Sequence, residues 1–155
     1  MKFNVHKNDN DFSGGLRGFY EYRDLGISDA TDGKVNAHVI RALPGHEKDG
    51  SGIHFHNLDF QMVYILKGWV IFKYENEGEF KLKEGDCVNQ IPGIKHEEIE
   101  HSDDLELLEI TMPADFETKL VKWRRWKEGN KKHIERTTYL SRCSRFRTGK
   151  EKTIT

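Results

Sequence analysis

Residues 52–68, GIHFHNLDFQMVYILKG, hold the side chains best suited to chemistry. In an extended strand residues two apart point to the same side, so His54 and His56 would project into one space. After the turn NLD the chain returns as FQMVYIL, in which Gln61, Val63 and Ile65 share one face while Phe60, Met62, Tyr64 and Leu66 share the other. A second segment, EGDCVNQIPGIKH (84–96), runs from a Gly-Asp turn through a strand to a Pro-Gly turn that presents His96. Imidazoles and an amide oxygen are ligands for transition metals. Two surface histidines on a strand also satisfy the H-x-H spacing, and the four side chains together could merely satisfy one another in a polar core. Histidines facing an interior are costly without hydrogen bonds, so three of them with an amide favour a metal.

With both segments in view, the chain resembles the cupin superfamily over about residues 34–112. The first motif of that family reads G-x5-H-x-H, three or four residues, Glu, six residues, Gly. Here His54 and His56 take the histidine places, Gln61 stands for the glutamate and Gly68 closes the motif. The second motif reads G-x5-P-x-G-x2-H-x3-N. Gly85, Gly93 and His96 match it, Ile91 replaces the first proline, Pro92 occupies the variable place and Glu100 replaces the asparagine. Lys48 stands where the first motif opens on glycine.

The resemblance implies a double-stranded β-helix, the cupin jelly-roll barrel, holding one divalent ion through His54, His56, Gln61 and His96. One or two coordination places would stay open for water or substrate. Iron, nickel, zinc, manganese and copper all suit such a site, with iron the expectation by kinship. Gln61 keeps an oxygen donor of similar reach but removes one negative charge. That substitution predicts weaker metal binding, a preference for anionic ligands and a gain in affinity in Gln61→Glu.

Positioning these residues calls for a barrel of short strands. After an early pair in LRGFYEYRDLGI and KVNAHVIRAL come IHFH, FQMVYIL, WVIFKYE, EFKLK, DCVNQI, HEEIE and LELLEIT, divided by NLD, KG, NEG, EG, PGIK and HSDD. Short strands recurring between Gly-, Asn- and Asp-rich turns favour an all-β sandwich or barrel. Pro113 and Asp115 could open a short C-terminal helix with Phe116, Leu120 and Trp123 on one face. Beyond Gly129 no packed element is predicted. The expected organisation is an N-terminal arm (1–15), a cupin barrel (16–117) and a basic extension (118–155).

Of the other candidates, Tyr64 has the wrong parity to join Gln61. His38 reads as structural, His46 as solvated and Cys87 as a small core residue. Glu97, Glu98 and Glu100 read either as acceptors behind a histidine or as a wet charged face.

At 155 residues with 35% apolar content, a single core is expected. No apolar run reaches membrane-spanning length and the start lacks the apolar middle of a signal peptide, so the expected location is cytoplasmic. Cys87 and Cys143 form no C-x-x-C pair and are expected to be reduced. The net charge of −1 hides a division: 13 bases against 3 acids from Thr118 onward give +10, and 12 bases against 23 acids before it give −11.

Two function classes follow. The leading one is a metal-dependent enzyme, dioxygenase-like or isomerase-like, on a small and possibly anionic organic molecule. The alternative is a non-catalytic small-molecule or metal-binding module whose basic tail contacts a partner or nucleic acid, with Trp123, Trp126, Tyr139 and Phe146 available for stacking. No DNA-binding motif is present, so nucleic acid is the weaker expectation and a solvated tail the plainer one. A homodimer is expected from the family.

Overall fold

The computed structural model describes residues 1–15 and 17–121 and, for the backbone, 137–139. Among these, strands follow one another with a single one-turn helix: β1 (Ser13–Gly14), β2 (Tyr20–Asp24), α1 (Ile27–Ala30), β3 (Asn36–Ala42), β4 (His54–Asn57), β5 (Phe60–Lys67) and β6 (Trp69–Tyr74). They continue as β7 (Gly78–Lys83), β8 (Cys87–Gln90), β9 (His96–His101), β10 (Glu106–Met112), β11 (Glu117–Val121) and β12 (Thr137–Tyr139). From β2 to β10 each begins or ends within a few residues of an expected strand. The β-branched and aromatic runs set the strands, and the Gly- and Asp-rich dividers stop them.

The strands form two sheets, in the orders β1-β2-β3-β10-β5-β8 and β12-β11-β4-β9-β6-β7, paired antiparallel throughout. This is the jelly-roll arrangement expected. Alternation along β5 is as read: Gln61, Val63 and Ile65 are buried, whereas Phe60, Tyr64 and Leu66 are exposed. The inward rows meet in a core of Tyr20, Ile40, Val63, Ile65, Val70, Phe72, Leu105 and Leu107 with their neighbours. Ile65, Val70 and Leu105 are fully shielded from water, each side chain contributing roughly 1.5–3 kcal/mol. That apolar plug occupies one part of the interior and leaves the polar inward residues together in another.

Three expectations change. The helix with Phe116 and Leu120 on one face does not form; the chain enters β11, which pairs with β4 at Glu117–Asn57, Thr118–His56, Lys119–Phe55 and Leu120–His54. Strand pairing wins over local helical spacing because β4 has β9 on one edge and its other edge would be unpaired without β11. The second sheet therefore runs past residue 117. Trp123, Trp126, Cys143, Phe146 and most of the basic extension lie outside the described residues. The N-terminal arm is drawn in as well, through β1 pairing with β2 and a bond from the Lys2 amide to the Ala30 carbonyl. Finally, Cys87 is exposed rather than in the core: it pairs with the outward Tyr64, whose parity it shares.

Gly68, which closes the first motif, has φ +71°, and a Cβ there would lie 2.2 Å from the Ser102 hydroxyl and 3.1 Å from the Leu105 Cα. Gly85 also has positive φ, at +88°, but faces open space. Gly85→Ala should cost only the left-handed backbone penalty, about 1–2 kcal/mol. Gly68→Ala should cost clearly more, because it must also displace the β10 entry. Urea midpoints of the two variants check this; equal losses would show that the contact is readily relieved.

Candidate metal centre

The strand registers assemble the site. His54 sits opposite His96 across β4 and β9, and His56 sits opposite Thr118 across β4 and β11. The three imidazoles form a tight triangle, with ring centroids 4.3 Å apart for His54–His96, 4.9 Å for His54–His56 and 5.1 Å for His56–His96. One ring nitrogen from each lies within 4.8 Å of the other two.

Hydrogen bonds at the outer nitrogens decide which atom faces inward. His54 Nδ1 lies 2.8 Å from the Gly52 carbonyl and His96 Nδ1 lies 3.0 Å from the Ile94 carbonyl. A carbonyl only accepts, so both Nδ1 atoms carry the proton and both Nε2 atoms keep a lone pair. His56 Nδ1 lies 2.9 Å from the Thr118 hydroxyl, which can accept in the same way. Phe116 closes edge-on against the His56 ring at 5.1 Å.

Electrostatics keeps the rings neutral. Burial first, then the neighbouring His96 and Arg17, pushes His54 down to about 2. Burial and His96 bring His56 to about 3, against the opposing pull of Glu109. His96 is lowered by burial, its largest influence. Three neutral rings with converging lone pairs have no proton to share among themselves. Such a donor set fits a divalent transition metal, and the Gly52 and Ile94 carbonyls and Thr118 hydroxyl behind the rings are acceptors of the kind that orient metal-bound histidines.

Gln61 is buried on the inward face of β5, opposite Thr111 on β10 and Gln90 on β8. Its Nε2 donates to Glu109 Oε1 at 2.7 Å. Glu109 Oε2 lies 2.6 Å from His38 Nε2, whose Nδ1 meets the Asn36 amide at 3.1 Å. Burial alone would raise the Glu109 carboxyl, but the hydrogen bond and charge of His38, with His56 and the Gln61 amide, outweigh it and hold it at about 2. Glu109 is therefore an ionised carboxylate one strand away from Gln61. His38 is structural in the sense expected, since it anchors that carboxylate.

Sequence reasoning passed over Glu109 and Arg17. The first had a signal: Leu105, Leu107, Glu109 and Thr111 share one parity, and a carboxylate in that row must face the interior. Leu108 and Ile110 made the opposite parity equally apolar, so the row could not be chosen. Arg17 precedes β2 in a loop and carries no such signal. Its Nη1 donates to the Ser51 carbonyl at 2.7 Å, and its Nη2 lies 3.2 Å from His54 Nε2.

Glu98 is buried rather than part of a wet face, and it accepts a hydrogen bond from the Tyr20 hydroxyl. Burial raises its carboxyl. His46 is half-exposed and pairs with Asp49 at 2.6 Å, as befits a loop residue. Across from Gln61, Gln90 donates to the Tyr74 hydroxyl at 2.9 Å, and its Oε1 is buried without a partner.

An imidazole in the unfolded chain titrates near ~6.5, far above His54 and His56 in the fold. Between those values the unfolded state binds protons that the folded state refuses, so stability falls as pH drops through the unfolded value. The metal-free protein should therefore lose melting temperature between about pH 7 and 5, each ring contributing at most about 1.4 kcal/mol per pH unit. Calorimetric melts across that range check this, with a shallower slope expected in His54→Ala. A flat profile would overturn the assignment of buried neutral rings.

No protein-family model and no curated protein match the chain. Solved structures do. KdgF from Halomonas sp. superposes with a TM-score of 0.58 at 17% identity, covering 71% of this chain and 94% of its own. A predicted oxalate decarboxylase from Thermotoga maritima is 25% identical with a TM-score of 0.51, covering 61% and 80%. A sugar phosphate isomerase of the cupin superfamily from Silicibacter pomeroyi is 20% identical with a TM-score of 0.50, covering 66% and 65%. With two antiparallel sheets in jelly-roll order and a histidine triangle at the two motif positions, the chain is a cupin in fold.

Proposed function

We propose that this protein is a metal-dependent cupin enzyme acting on a small anionic organic molecule, with one divalent transition-metal ion held by His54, His56, His96 and Gln61. The observation that carries the reading is the convergence of three neutral imidazole lone pairs within 4.8 Å inside the barrel. A bound ion would supply Lewis-acid activation of a water or of a substrate oxygen at a coordination place the protein leaves open.

The chain's own residues support an anionic ligand. The Arg17 guanidinium reaches the inner nitrogen of His54, which sets a permanent positive charge beside the donor atoms. Its tie to Ser51 fixes one end of the fork and leaves the other facing the triad. Gln90 Oε1 offers a buried acceptor to a ligand hydroxyl or water. Two similar structures carry names that speak of small anions, oxalate in one and a sugar phosphate in the other. The reaction is dioxygenase-like or isomerase-like, and the resident ion, among iron, nickel, zinc, manganese and copper, distinguishes them. Pairing of two copies, expected from the family, belongs to the same proposal and is read by light scattering.

Elemental analysis of protein purified without chelator or an affinity tag should find close to one ion per chain, lost in His54→Ala and His96→Ala. If no ion is taken up even when iron, nickel, manganese and zinc are supplied, the enzyme reading falls and the non-catalytic binding module replaces it. For the anion, oxalate is a suitable probe. Its affinity for the metal-loaded protein should drop about tenfold or more in Arg17→Met, the scale of one charge-assisted hydrogen bond. Calorimetry measures it, and an unchanged affinity would remove Arg17 from ligand recognition.

A further inference from the structure

We propose that Glu109 is a positioning residue of the metal centre: its carboxylate, held between His38 and Gln61, turns the Gln61 carbonyl oxygen towards the histidines and supplies from the next strand the negative charge that a glutamine donor lacks. The inference rests on the reading that the site holds a divalent ion through Gln61 and the three histidines.

Glu109 on β10 sits directly opposite His38 on β3 and Val63 on β5, and Gln61 lies two residues along β5 from Val63 on the same inward row. The 2.6 Å contact to His38 is therefore a direct cross-strand pair and the 2.7 Å contact to Gln61 a diagonal one, both fixed by the sheet. The Asn36 amide donates to His38 Nδ1, so His38 Nε2 carries the proton and gives it to Glu109 Oε2, leaving Glu109 Oε1 as an acceptor for Gln61. Gln61 must then present Nε2 to Glu109, which leaves Oε1 as its free end. An amide without such a neighbour could face either way, and half of its orientations would present N–H groups to a cation. Asn36 continues the chain of bonds behind His38 and helps fix the ring that anchors the carboxylate.

Charge leads to the same assignment. Replacement of the family's glutamate by Gln61 implies a neutral set of ligands, yet a carboxylate, Glu109, stands directly behind Gln61 at 2.7 Å. The negative charge has moved outward by one hydrogen bond rather than disappeared. The expectation from sequence that Gln61→Glu alone tightens binding is consequently reversed. That change would set two carboxylates against each other at the place of a 2.7 Å hydrogen bond, and like charges at such a distance oppose joint ionisation.

The exchange of the two groups tests this. In the double variant Gln61→Glu with Glu109→Gln, the introduced amide can donate to the introduced carboxylate and still accept from His38, so every hydrogen bond is retained with the charge back in the ligand. Affinities for Co2+ and Ni2+ would be measured by titration, with the visible spectrum of bound Co2+ reporting the ligand set and melts of the metal-free proteins reporting folding. Glu109→Gln should weaken binding about 10- to 100-fold, as loss of an outer partner does. Gln61→Glu should give no gain. The double variant should return to within about threefold of the natural protein, a rescue expected only if the two side chains act as a unit. Tighter binding by Gln61→Glu alone, or a double variant no better than Glu109→Gln, would overturn the role of Glu109 while leaving the histidine site standing. Failure of the natural chain to bind either ion would instead bring down the metal reading, and this proposal with it.

Discussion

Lone pairs that face one another inside a barrel impose the constraint on which this structure turns. His54 and His96 spend their protons outward, on the Gly52 and Ile94 carbonyls, and His56 has the Thr118 hydroxyl in the corresponding place. The inner nitrogens are left as acceptors, and acceptors cannot hydrogen-bond to acceptors. Among the described residues, Arg17 donates to His54 Nε2 at 3.2 Å. A cation that accepts several lone pairs at once would satisfy all three rings, so the triangle could hold a metal ion.

Much of the architecture follows from holding that triangle. The His54–His96 pair is the single register contact between β4 and β9, so two of the three rings meet where the sheet is thinnest. β11 closes the exposed side of β4 and brings Thr118 to His56 in the same step. A strand is needed there for two reasons, to pair an edge and to orient a ring, and neither is visible in the local spacing that suggested a helix. The apolar core reaches the triangle through Tyr74, whose ring lies 5.8 Å from that of His96.

The difference between what was legible in the sequence and what was not follows from the range of the interactions. Strand positions, the inward row Gln61, Val63, Ile65 and the approach of His96 depend on neighbours within one hairpin or turn, and alternation and turn residues encode them. The histidine triangle was legible because two local motifs each carry part of it. Glu109 was not, because its partners His38 and Gln61 come from strands 71 and 48 residues away and its own strand is apolar on both faces. Arg17 and β11 depend on where the chain returns after long excursions. Cys87 was misjudged for a related reason: composition placed it among apolar residues, whereas its parity with Tyr64 turns it outward.

Charge balance links these late-appearing residues to the chemistry. Considered with its ligands alone, a divalent ion among three imidazoles and an amide would keep its full charge. On the proposed site, Glu109 would offset one unit from behind Gln61 and Arg17 would restore one on the side of His54, which would polarise the field across it. The negative end lies in the β3–β10–β5 sheet, where Asn36 and His38 hold it in place. The positive end lies at the loop before β2, tied to Ser51. On the proposed function, an anionic ligand would be drawn towards the Arg17 side and away from Glu109. Fixed charges of this kind act without reorganising, and the more strongly the less water reaches them.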